Sequence, residues 1–228
     1  MRWVTYLSPS GGMERPGVID DGCVFGYPGE QGFSELLDGD RHTLADAYQR
    51  ALASPVEIIV EFETRLCAPI VPSVPVPARV GTEWVNIEPA MVRGTDEGAA
   101  LPSGADALSA AIGVAAVFGG TEDGKEHVGY TLACLWRTPE AECGGLSVGP
   151  AVVTPEELDR SSLTVTASVE DKPLATASVD DELLWTDGRR SSLVAVLPAQ
   201  TRLLTPGEEL FLDGGPLGEF EVRIGSAV

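Results

Sequence analysis

The chain has 228 residues, 35 acidic and 15 basic, for a formal charge of −20. With 43% hydrophobic and 22% charged residues it has the composition of a folded protein, long enough for one large domain or one domain with a small leading piece. So few basic groups argue against nucleic acid and against an anionic membrane surface as partners.

Met1–Ser10 is too short and too polar for a signal peptide. Arg2–Leu7 alternates as a strand, and Pro9-Ser10-Gly11-Gly12 turns it. Gly17–Asp20 and Cys23–Gly26 read as two further strands joined at Asp21-Gly22. Phe33–Leu37 and Thr43–Ala53 read as helices. Thr43 is placed to cap the second helix, with Asp46 three residues on, and Leu44, Ala47, Tyr48 and Ala51 share its apolar face. Val56–Leu66 runs extended. Residues 1–66 thus form a small α+β module, and the Pro-rich stretch 67–77 is a stiff connector unsuited to a helix or a central strand.

Residues 78–228 are mostly strands. Ala78–Asn86 and Ala107–Phe118 are apolar and extended. The longest apolar run, Ala105–Gly120, is interrupted by Asp106 and falls short of a membrane span. Glu122-Asp123-Gly124 makes a turn, and Glu126–Arg137 returns as a buried strand or a short helix. Val148–Thr154 is a strand, and Pro155 opens a short helix. Ser162–Val169 alternates, Asp171-Lys172 turns, and Leu174–Ser178 pairs back. Asp180–Leu197 contains helical turns, and Leu210–Asp213 and Phe220–Ile224 are strands around Gly214-Gly215-Pro216. The fold class is α+β.

The usual chemical signatures are missing. Cys23, Cys67, Cys134 and Cys143 form no CxxC pair and fit no zinc spacing, so they read as structural thiols in a cytoplasmic protein. No segment places Ser or Cys beside either histidine, so His42 and His127 read as a helix-terminal and a surface residue. There is no HExxH, no phosphate-binding GxxxxGK[ST] and no GxGxxG after a strand. Asp180-Asp181-Glu182 reads as an acidic helix start rather than a metal site.

Several pieces resemble, in order and spacing, the fumarylacetoacetate hydrolase family. Leu66-Cys67-Ala68-Pro69-Ile70 is similar to its "LLAPI". Val128-Gly129-Tyr130-Thr131-Leu132-Ala133 is similar to "GYTVxND", and Gly149-Pro150-Ala151-Val152-Val153-Thr154 with Glu156-Glu157-Leu158 to "GPxIVTxDEL". Leu203–Glu208 resembles "LxPGD", Leu212–Pro216 "LTGTP", and Ile224-Gly225 the closing "GIG". The resemblance implies a rolled mixed β-structure behind a small leading domain, and a homodimer. It also implies a divalent cation on a Glu-x-Glu pair and an Asp, but those positions hold Ala111, Gly113 and Leu135, which offer no oxygen ligand. No metal and no cofactor is therefore expected. The second-half lysine of the family has no counterpart, since the only lysines are Lys125 and Lys172.

By the same alignment Glu83 and Trp84 fall at the pocket mouth and Arg93 replaces a pocket lysine, while Tyr130, Cys134, Trp136 and Asp213 fall on other pocket positions. Arg93 and Glu83 are the candidate catalytic pair, because a guanidinium fork suits planar oxyanions; the alternative is an ion pair of Arg93 with Glu83 or Glu88. Trp84, Tyr130, Cys134, Trp136 and Asp213 are the candidate substrate-binding residues, around an apolar cavity walled by Gly214-Gly215-Pro216 and strand Tyr130–Trp136. Three functions are open. The first is a metal-independent enzyme that cyclises, rearranges or isomerises a small acidic or dicarbonyl substrate of specialised metabolism, by cycloaddition among other routes. The second is a cation-dependent hydrolase, hydratase or decarboxylase with other ligands, such as Glu83, Glu88, Asp96 or Asp213. The third is a non-catalytic partner of an active paralogue.

Overall fold

The structure is a computed structural model and describes residues 1–39, 41–120, 126–158, 163–179 and 191–225. The expected turn at 122–124, the acidic run Asp180-Asp181-Glu182 and Lys125 lie outside the described residues.

The leading segment folds as β1 (Arg2–Leu7), β2 (Glu14–Asp20), β3 (Cys23–Gly26), α1 (Phe33–Leu37), α2 (Arg41–Ala53), β4 (Ile58–Val60) and β5 (Leu66–Cys67). Helix α2 begins at Arg41, so Thr43 lies within its first turn. The anticipated apolar face holds: Leu44, Ala47 and Ala51 are buried, and Tyr48 meets Trp3 edge-on at 5.9 Å. The stretch read as one extended run is broken by a 3-10 turn at Glu61–Glu63.

The rest is β6 (Val76–Val80), β7 (Glu83–Ile87), β8 (Val92–Arg93), β9 (Ser109–Gly119), β10 (Glu126–Arg137), β11 (Cys143–Val153), β12 (Leu163–Val169), β13 (Lys172–Val179), β14 (Leu193–Gln200), β15 (Glu209–Asp213) and β16 (Glu219–Arg223). One sheet runs β4-β3-β2-β1-β11-β10-β9-β14-β6-β7, with β5 on β1 and β8 on β11; the second runs β13-β12-β15-β16. Because β1 pairs with β11 (Arg2↔Val153, Trp3↔Val152), the leading strands and the main body share one sheet.

Two expectations change. Val76 and Pro77 belong to β6, a strand with neighbours on both sides. Pro77 is tolerated because it faces only Asn86 of β7; pairing to β14 starts at Ala78. The region read as helical turns up to Leu197 is, from Leu193 onward, the strand β14. Its run Leu193-Val194-Ala195-Val196-Leu197 is apolar on both faces, as suits a strand set between β9 and β6. A smaller shift concerns the β12–β13 hairpin, which turns at Glu170-Asp171, both with positive φ (49° and 60°), so that Lys172 already opens β13.

The central sheet is buried on both faces. Ala110, Ile112, Val114, Leu132, Cys134 and Trp136 face a core shared with the second sheet. Ala111, Ala115, Val117, Ala133 and Leu135 face the opposite core, which includes Trp3 and the apolar faces of α1 and α2.

At the turn before β15, Glu208 accepts from Arg202 Nη2 at 2.6 Å and from Thr205 N at 2.7 Å. The Arg202 hydrogen bond, then the Thr205 amide, holds its carboxyl down to about 2 from an ordinary 4.5. A depressed folded-state pKa stabilises above the unfolded value and loses that contribution as pH falls through the folded one. Glu208→Gln is therefore expected to cost about 1 kcal/mol at pH 7, given the partly exposed pair, with the difference shrinking below pH 4.5 and gone near pH 2. Urea unfolding of both proteins across that range checks it; a pH-independent gap would contradict the assignment.

Candidate functional site

Strands β9 and β10 form the centre of the large sheet, and their register decides what the middle of the molecule offers. Ala111 lies opposite Leu135, and Gly113 opposite Ala133. Residues two apart on a strand share a face, so positions 111, 113 and 135 form one cluster. Ala111 is 0% exposed and Leu135 1%, which leaves no water-sized space beside them. Gly113 is closed more tightly still. A Cβ there would overlap the Val196 carbonyl oxygen, with Leu197 Cα next at 3.0 Å. That carbonyl comes from β14, whose pairing with β9 is irregular between Val196 and Ala199.

These residues do not fit a hard divalent cation, which needs several oxygen ligands in a defined shell. The cluster supplies no carboxylate and no volume. On the same face Thr131 is fully buried, and its Oγ1 has no hydrogen-bond partner among the described residues. One neutral hydroxyl makes a poor anchor for such an ion. Among the described residues no group of three or more His, Cys, Asp and Glu stands close enough to hold a metal.

The structure divides the candidate residues into two sets. Tyr130, Cys134 and Trp136 lie on the face of β10 turned toward the second sheet, and all three are buried. Trp136 donates its indole N–H to Ser147 Oγ at 2.9 Å. Burial pushes the Cys134 thiol well up, away from thiolate chemistry. Asp213 is exposed at the end of β15, where it accepts from the Gly215 amide at 2.7 Å.

Glu83, Trp84 and Arg93 form the second set. They are exposed on β7 and β8, Trp84 by 43%. Arg93 lies in register with Ser147 of β11 and makes no ion pair among the described residues, so the alternative pairing with Glu83 or Glu88 does not form.

A Cβ on Gly214 would overlap Leu132 Cδ2, so at that glycine the turn rests on the strand. The reading of His127 as a surface residue is corrected. His127 is buried, 4.4 Å from the Tyr130 ring and 5.7 Å from Phe118, because pairing with β9 sets it opposite Phe118. His42 is exposed. All four cysteines are free thiols, and burial pushes Cys67 up to about 11. Sequence reading missed Ser147 as the partner of Trp136 and Val196 as the group that closes Gly113. Neither carries a local signal, since both act across strands.

No sequence-family profile matches this chain, and no curated protein does. Solved structures do match along almost the whole length. Maleylpyruvate hydrolase from Sphingobium sp. SYK-6, in complex with manganese(II) and pyruvate, is 16% identical at a TM-score of 0.78, with all of both chains covered. Fumarylacetoacetate hydrolase from Exiguobacterium antarcticum is 14% identical at 0.77, with 99% of each chain covered. A 5-carboxymethyl-2-hydroxymuconate delta-isomerase from Mycobacterium smegmatis is 16% identical at 0.68, covering 98% of this chain and 99% of that one. The chain has the fumarylacetoacetate hydrolase fold: mixed and β-rich, with small helices near the N-terminus.

Proposed function

We propose that this chain uses the fumarylacetoacetate hydrolase fold as a non-catalytic subunit, partnering an active protein of the same fold. The observation that carries this reading is the closed centre of the sheet. Where the alignment calls for three carboxylates stand Ala111, Gly113 and Leu135, and a β14 carbonyl fills the space at Gly113. A fold hosts a function only through its site. Here the positions that the resemblance assigns to those carboxylates are packed as core.

A second reading has its own support. The similar solved structures are named as hydrolases and an isomerase of small acids, one of them holding pyruvate. Arg93, Glu83 and Trp84 are open to solvent, so an acidic dicarbonyl substrate could meet them at the surface. On that reading the chain is a hydrolase or isomerase of such acids, or in finer form a cation-independent cyclase or isomerase of a specialised-metabolite substrate.

Calorimetric titration of the purified chain with Mn²⁺, alongside hydrolysis and isomerisation assays on acylpyruvates, separates them. The expected result is no stoichiometric Mn²⁺ binding and no turnover with or without the ion. Turnover without metal that Arg93→Ala lowers about tenfold, the loss of one charge-assisted contact, would move the assignment to the second reading. Stoichiometric Mn²⁺ with metal-dependent turnover would overturn the closed-centre argument altogether.

A further inference from the structure

Strand β4 ends the large sheet, and among the described residues no strand pairs with its outer side. Native edges are usually blunted by charge, proline or a covering loop. This one carries exposed Ile58 (59%) and Val60, with exposed Val56 just before it, Phe62 (86%) in the 3-10 turn just after it, and Met13 exposed nearby. Ile59 faces inward against the core. Between Met13 and Val56 lies a hollow of about 200 Å³ that also touches Ser8, Ser10 and Arg15.

The backbone is equally open. Gly26 N donates to the Glu57 carbonyl, and Glu61 N donates to the Gly22 carbonyl. Successive residues of a strand point their N–H and C=O groups to opposite edges. The N–H and C=O of Ile58 and the N–H of Val60 therefore face outward, set for a short ladder with another strand, while the Val60 carbonyl accepts from Thr64 Oγ1 at 2.8 Å.

We propose that this edge accepts an extended, basic segment of a different protein, added antiparallel as an extra strand. The inference is independent of the function proposed above. The charge pattern selects the partner. Glu61 and Glu63 follow the apolar residues on a chain of net charge −20, while Glu57 is held by Tyr6 OH at 2.7 Å and Ser10 Oγ at 2.9 Å. A second copy would bring the same acidic residues, Glu61 and Glu63 of the 3-10 turn, to the same edge on a chain of the same charge. Like charges directly opposed destabilise a ladder, whereas Lys or Arg there would stabilise it. The exposed apolar area is on the order of 500 Å², enough to mark a binding patch but short of the about 800 Å² per partner of a stable dimer. That matches a short docked segment, where main-chain bonds supply affinity and alternate side chains supply specificity.

The test uses two short synthetic peptides with alternating Val and Ile, one with Lys at the positions between and one with Glu, titrated against the full chain by fluorescence anisotropy. The Lys peptide is expected to bind and the Glu peptide not, with affinity falling about tenfold between about 50 and about 500 mM salt as screening grows. Ile58→Lys, an exposed change checked for an unaltered melting curve, is expected to weaken binding at least about tenfold by like-charge repulsion. Absence of binding, equal binding of both peptides, or indifference to Ile58→Lys would each overturn the proposal. So would sedimentation as a dimer that Ile58→Lys dissolves, because the occupant would then be a second copy.

Discussion

Gly113→Ala is expected to lower stability by about 3 kcal/mol, at the upper end for overpacking a closed core. The reason is local. The added methyl would overlap the Val196 carbonyl oxygen, and behind it stands Leu197 Cα at 3.0 Å. Both obstacles are backbone, so neither rotates aside as a side chain would. Relief requires β14 to move away from β9 and to stretch the pairs Val194↔Ala116 and Val196↔Val114. For a chain of this size that corresponds to a fall in melting temperature of roughly 10 °C. Gly11→Ala is the control: nothing lies within 4 Å of a Cβ there, and a change within about 0.5 kcal/mol is expected. Thermal and urea unfolding of the three proteins decide the matter. An unchanged midpoint for Gly113→Ala would show that β14 yields, and would remove the physical basis for a closed centre.

This prediction marks the limit of what the sequence shows by itself. That positions 111, 113 and 135 carry no ligand is legible residue by residue. That no ligand would fit there is not, because the obstruction comes from Val196, more than 80 positions along the chain. The same contrast runs through the fold. Arg2–Leu7 and Phe33–Leu37 match the observed elements because alternation or a dense apolar run dominates each of them, and the bounds of Glu126–Arg137 match while its type, strand or short helix, stays open in the sequence. Strand β14 was hidden because an apolar run without alternation suits a buried helix as well as a buried strand. His127 reads as exposed from the turn before it; its burial follows from the ladder that sets it opposite Phe118, which the segment itself does not show. The free edge at β4 was equally invisible. Its residues read as extended, but which strand ends a sheet depends on topology, not on the segment.

Trp136→Ala is expected to cost about 4 kcal/mol, the usual range for truncating a fully packed large aromatic. Trp136 is 2% exposed in the layer between the two sheets, on the same face as Leu132 and Cys134. Its loss would leave a cavity bounded by strands that hydrogen-bond on both sides and have little freedom to collapse. The polar end adds a second, separable effect. The indole donates to Ser147 Oγ at 2.9 Å, and both residues are buried. Trp136→Phe keeps most of the ring volume but leaves the Ser147 hydroxyl unmatched, which costs about 1–3 kcal/mol. Ser147→Ala in the Trp136→Phe background removes that orphan and should recover part of the loss. A double-mutant cycle is therefore expected to give a coupling of about 1 kcal/mol. The cycle also bears on function. A tryptophan lining a ligand cavity would tolerate truncation with little effect on the free protein and would show its effect only when ligand is present. A large loss of stability in the free chain, with the predicted coupling to Ser147, assigns Trp136 to the core. A melting curve unmoved by Trp136→Ala would instead reopen the space between the sheets as a binding site.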